Sequence, residues 1–112
     1  MDTQLKYQNV IKSVLQHHAD YRASLPDGYT SEVIFDDERE HYLVLDIGWN
    51  GDQYLHATPL HLSLIGDKVW IQYDDTEEGV VNDLMEAGIP TENIVLGFRH
   101  PKVRQYTGFA VA

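Results

Sequence analysis

Six histidines are the side chains here best suited to hold a metal or move a proton, and their spacing decides whether they act together. His17 and His18 are adjacent in a stretch with helical periodicity, so they point about 100° apart and cannot share one ion. His56 and His61 lie an odd number of residues apart in a strand-like segment. Alternation puts them on opposite faces unless a bulge at Pro59 resets the register. No pair has the i, i+4 spacing of a helical zinc motif. The chain also has no cysteine, which excludes disulfides, thiolate metal ligands and a thiol nucleophile. The expectation is ordinary core or surface histidines, with no metal and no cofactor.

The carboxylates cluster in Asp36-Asp37-Glu38 and in Asp74-Asp75-Thr76-Glu77-Glu78. A nuclease would need those loops to converge on magnesium and a lysine to follow on a strand as Asp/Glu-x-Lys, an element this sequence lacks. Capping and solvated loops account for every one of these acids. Ser13, Ser24, Ser31 and Ser63 stand in no glycine-flanked elbow, and the glycines form no phosphate-cradling loop. No catalytic residue is therefore assigned, although a small hydrolase or nuclease-like enzyme with a cryptic histidine and carboxylate site is the rival class. Trp49, Trp70 and seven tyrosines point towards recognition, because aromatics and arginine are enriched in protein interfaces. For Trp70 a place in the core is the plainer reading. Arg99, His100 and Arg104 form a cationic group in an acidic chain, with local carboxylate pairing and partner contact as the two readings.

These residues need elements to position them. Residues 3 to 22 repeat apolar side chains at helical intervals (Tyr7, Val10, Ile11, Val14, Leu15), which predicts an amphipathic helix about 30 Å long. Leu25-Pro26-Asp27-Gly28 ends it, and from Tyr29 the period changes to two, the signature of a strand. After the polar loop 36–40, His41, Leu43, Leu45, Ile47 and Trp49 are expected on the more buried face, with Tyr42, Val44 and Asp46 on the other. Asn50-Gly51 is the next turn, then a strand to Ile65 interrupted by Pro59 at an edge or bulge, then Val69 to Tyr73 after Gly66-Asp67-Lys68. Asp75 is the expected N-cap of a second helix, with Glu78 completing a capping box and Gly79 in its first turn. Gly88 fits the left-handed C′ position, and Pro90 blocks continuation. Ile94 to Phe98 reads as a short strand, Pro101 to Gln105 as a helical turn and Phe109 to Val111 as a docked tail.

Composition bounds the rest. At 112 residues the chain is one domain, residues 1–112. Eight Lys plus Arg against 18 Asp plus Glu give −10, which repels phosphate backbones and disfavours direct nucleic-acid binding while attracting a basic partner. No window approaches a membrane span and the N-terminus lacks a signal-like flank, so a cytoplasmic setting fits.

The ordered set Trp70-Ile71-Gln72, Asp74, Thr76-Glu77, Gly79, Gly88-Ile89-Pro90, Asn93 to Phe98, Pro101, Arg104, Thr107 and Phe109-Ala110 resembles the XisI family of excision controlling factors. Glu38-Arg39, His41-Tyr42 and Gly48-Trp49 extend that resemblance upstream, so it covers roughly residues 33 to 112. It implies a non-enzymatic cyanobacterial factor that controls removal of the fdxN DNA element in the heterocyst setting. A nuclease-like companion of the XisH type is the implied partner. The architecture expected is α+β: a four-stranded antiparallel meander, a short fifth strand, and the N-terminal and second helices on one face. Two helices cover one face only, so the other, expected to hold Tyr42, Val44, Tyr54 and Trp70, calls for a homodimer or a heteromer.

Overall fold

The computed structural model describes residues 3–77 and 79–112. Helix α1 (Thr3–Ala23) leads into strands β1 (Tyr29–Asp36), β2 (His41–Asn50), β3 (Gln53–Ile65) and β4 (Lys68–Asp74). Then come α2 (Val81–Glu86), a 3-10 turn (Thr91–Asn93), β5 (Ile94–Leu96) and α3 (Pro101–Arg104). The sheet order is β1-β2-β3-β4-β5, antiparallel except for β5, which runs parallel to β4. This is the α+β architecture expected. Among the described residues no helix is long and apolar enough to cross a membrane.

Helix α1 buries Tyr7, Ile11, Leu15 and Ala19, one stripe at i, i+4 spacing. At one end of the stripe the Tyr7 hydroxyl accepts a 2.7 Å hydrogen bond from the Asn93 side chain, tying the helix to the start of β5. The stripe joins Tyr42, Val44, Leu60, Leu62, Val69, Ile71, Val80, Leu84 and Ile94 in one core. Both α1 and α2 therefore cover the same sheet face.

That face is the opposite of the one expected for β2. Tyr42 and Val44 are fully buried and Asp46 is 2% exposed, while His41 and Trp49 are exposed. Both alternating sets of β2 are largely apolar, and Asp46 is the one acid among them. Instead, Asp46 lies under the end of α1, where Arg22 Nε donates to it at 2.9 Å and Ser31 Oγ at 2.6 Å. A buried carboxylate is tolerable when a cation and a further donor meet it. Tyr42 points the same way, its hydroxyl donating to Asp37 at 2.8 Å; burial, with that carboxylate beside it, pushes the phenol up to about 12.

The first turn of the next hairpin also shifts by one residue. Asn50 pairs with Gln53, so Gly51 and Asp52 form the loop and Gly51 takes the positive φ of +60°. Near Pro59 the bulge is present: Val44 faces Leu60 but Asp46 faces Ala57, leaving Thr58 and Pro59 across from Leu45.

Helix α2 is shorter than expected, and Asp75 does not cap it. Val80 occupies the N-cap with no side-chain bond, and the Asp75 backbone N–H instead donates to Pro59 O at 2.8 Å. Asp74 organises the loop: one carboxylate oxygen accepts from Thr76 N and Oγ1, and the other from Val80 N at 2.7 Å. Bonds from the strand's last acid satisfy the amides before the helix, so the loop does not wind. Gly79 lies in that loop with φ +79° rather than in a helical turn, and Glu78 lies outside the described residues. The helix end is as expected. Gly88 has φ +101°, its N–H donates to Met85 O, and Ile89 N–H donates to Leu84 O, a Schellman stop followed by Pro90.

Candidate docking face

The sheet face turned away from α1 and α2 carries the side chains that the sequence marks as chemically interesting. Residues opposed in a ladder share a face, so Ile34, Leu43 and His61 form one row across β1, β2 and β3. Ile47 and His56 continue this surface, as do Trp49 and Tyr54. Trp49 and Tyr54 stack with ring centroids 5.0 Å apart at the tip of the β2–β3 hairpin. Ile34, Trp49, Tyr54, Ile65 and Tyr73 are each 45 to 61% exposed. With aromatic and large aliphatic side chains of roughly 200 Å² each, they leave on the order of 500 Å² of apolar surface open. Of the four residues expected on this face, Tyr54 and Trp70 are there. Tyr42 and Val44 are in the core.

The β4–β5 end of the same face is closed by the C-terminal segment. Trp70 pairs in register with Val95, which is fully buried and bridges to Ala110. Arg104, 9% exposed, holds this closure together. Its Nε donates to Arg99 O at 3.1 Å, Nη2 to Gly97 O at 3.3 Å and Nη1 to Val111 O at 3.4 Å, while its guanidinium carbon lies 4.9 Å from the Trp70 ring centre. Gly97 sits so close to β4 that a Cβ would come within 3.1 Å of Ile71 O and of the Trp70 ring. Trp70 is thus half-buried under this cation rather than central to the core. His100 caps α3, its ring nitrogen accepting from Lys102 N at 3.1 Å, and Arg99 lies over Phe98 at 5.2 Å. Among the described residues neither Arg99 nor Arg104 pairs with a carboxylate. Partner contact is therefore spatially open to Trp49 and Arg99, whereas Arg104 is occupied within the fold.

The bulge at Pro59 places His56 and His61 on one face, and the ladder adds a third histidine. His41 Nδ1 lies 3.0 Å from His61 Nε2 and 3.1 Å from Ser63 Oγ, and Gln72 Nε2 reaches Ser63 at 3.4 Å. Burial, then the neighbouring His41, hold the His61 imidazole below its ordinary 6.5. Sequence spacing missed this pair because His41 and His61 meet diagonally across two strands. Ser63 is 2% exposed, so its hydroxyl is not presented to a substrate. In the first acidic loop, Asp36 caps the 36–40 turn through Glu38 N and Arg39 N, and Asp37 binds Lys12 of α1 at 2.7 Å. The hydrogen bond from Arg39 N lowers the pKa of Asp36, and that from Lys12 lowers the pKa of Asp37.

The model of the family described as XisI protein matches residues 1–111. The chain belongs to the XisI family. Two solved relatives, both from Anabaena variabilis, share the fold over nearly their whole length. One is the fdxN element excision controlling factor XisI, 36% identical over 99% of this chain and 100% of its own, with a TM-score of 0.84. The other is a XisI-like protein, 34% identical over 97% of this chain and 99% of its own, with a TM-score of 0.89. No curated protein matches. Among the positions that carry the family resemblance near the C-terminus, Trp70, Gly97, Arg104 and Ala110 close β5 and the tail onto the sheet.

Proposed function

We propose that this XisI-family chain is a non-enzymatic accessory factor that controls excision of a DNA element by docking a companion protein on its open sheet face. The observation that carries this reading is the row of exposed aromatic and aliphatic side chains around Trp49, Tyr54, Ile34 and Tyr73. Apolar exposure on the order of 500 Å² spread over this face compares with the roughly 800 Å² per partner of a standard interface. The −10 charge favours a basic partner over a second copy, since two like-charged chains repel. A XisH-type companion, nuclease-like and acting on DNA, suits both features. The relative's description as an excision controlling factor agrees with a regulatory role.

Co-expression of this chain with a XisH-type companion tests the proposal. A complex should co-purify with the parent chain and be lost in the double variant Trp49→Glu, Tyr54→Ser, whose circular dichroism should stay that of the parent. A companion that ignores the parent chain, or binds both forms alike, refutes it. Light scattering on the lone chain reads the remaining occupant, because a doubled mass would give the face to a second copy. Turnover of a phosphodiester or ester by the lone chain would instead favour the small-enzyme class.

A further inference from the structure

The geometry points to a bis-imidazole site for a divalent transition-metal ion on the open face, with His41 Nδ1 and His61 Nε2 as its ligands. The two nitrogens are 3.0 Å apart and their rings are tilted at 47° with centroids 5.1 Å apart. Zinc–nitrogen bonds of about 2.1 Å at a tetrahedral angle place two ligand nitrogens about 3.4 Å apart. The required opening of about 0.4 Å is within the reach of small χ rotations while β2 and β3 stay fixed.

The surroundings suit an ion. Imidazole binds zinc, copper and nickel through a neutral nitrogen. Ser63 Oγ shares a 3.1 Å hydrogen bond with the same nitrogen of His41, and a hydroxyl hydrogen rotates readily to suit a new partner. From β1, Asp36 stands opposite His41 with its carboxylate engaged by the 36–40 turn and Arg39, so it adds negative potential without giving up those bonds. From β4, Tyr73 stands opposite His61 and brings no formal charge. Among the described residues no set of three candidate ligands comes together. Two protein nitrogens therefore hold the ion, one ligand fewer than an open catalytic zinc site, and water or an external ligand fills its other positions. The fold does not depend on the ion, since both histidines lie outside the apolar core. The site lies on the same face as the proposed docking surface, so it is tested on the lone chain.

Titrating the purified lone chain with zinc chloride tests this. Calorimetry should show one ion per chain, and imidazole nitrogen NMR shifts should fall on His41 Nδ1 and His61 Nε2. His41→Ala and His61→Ala should each weaken binding by about tenfold or more, since even outer-shell changes cost that much. His56→Ala, on the same face, should bind as the parent does. His61→Gln gives a second, near-isosteric loss of the ligand should the alanine variant unfold. Absence of saturable zinc binding, or binding that survives loss of either His41 or His61, overturns the proposal.

Discussion

Replacing Arg104 by alanine separates a structural role from a partner role. The side chain is 9% exposed, donates to the carbonyls of Arg99, Gly97 and Val111, and covers the Trp70 ring. Hydrogen bonds from a charged donor contribute about 1.5–3 kcal/mol each, but two of these are long, 3.3 and 3.4 Å, so about 1 kcal/mol apiece is the sounder value. The contact with Trp70 adds about 0.5 kcal/mol. Together, with each of the three hydrogen bonds taken at about 1 kcal/mol, Arg104→Ala should destabilise by about 3.5 kcal/mol. For 112 residues the unfolding entropy is about 0.24 kcal/mol/K, so Tm should fall by about 15 °C. Arg104→Lys retains the charge but not the planar fork that serves three carbonyls, and should lose about 2 kcal/mol. Urea unfolding followed by circular dichroism and by tryptophan emission reads both. A surface contact residue would leave stability within about 0.5 kcal/mol, and that result for Arg104→Ala would refute the closure described here.

Gly88→Ala should destabilise by about 1 kcal/mol through its φ of +101° alone, since a Cβ there meets nothing within 4 Å; an unchanged denaturation midpoint would count against the helix stop. For His61, folding lowers the pKa below 6.5, so the unfolded chain takes up that proton more readily. The His61 contribution is fully present above pH 6.5 and is lost as pH falls towards the folded value, and denaturation midpoints between pH 7.5 and 5 should flatten in His61→Gln. If they do not, another group carries the dependence. With −10 net charge the lone chain should bind duplex DNA no more tightly than roughly 10⁻⁴ M at physiological salt; micromolar affinity with a steep salt slope in a titration would overturn this.

Periodicity made α1, β1 and the Gly88 stop legible, because each is decided by residues close in sequence. The face of β2 was not. Tyr42-Val44 and Leu43-Leu45-Ile47 are equally apolar, and the tie is broken by Arg22 and Ser31 reaching Asp46 from other elements. Asp75 was the expected cap, but its N–H bonds to Pro59 O, a long-range contact that local spacing does not announce, and the loop is left to Asp74. Of the candidate site residues, Trp49 was expected on the more buried face of β2 and is instead exposed, for the same reason that the face of β2 was misjudged. Arg104 was misleading, since its partners are backbone carbonyls and no carboxylate in the sequence announces them. The His41–His61 pair depends on a bulge whose presence Pro59 suggested but whose register only the ladder fixes.

Strand order in the sheet equals strand order in the chain, and this sets how the molecule assembles. Each hairpin from β1 to β4 closes a short loop, so four strands can zip sequentially at low entropic cost as they leave the ribosome. Helix α1 is made first but has nothing to bury its stripe against until β1, β2 and β3 exist, so it waits as a fraying amphipathic segment. The parallel strand β5 comes last, and its tail closes only after Arg104 has emerged. Hydrogen exchange should show that sequence in reverse, with the Ala110–Ile94 bond opening before the β2–β3 ladder. Equal protection at both places would rule out a late-closing tail.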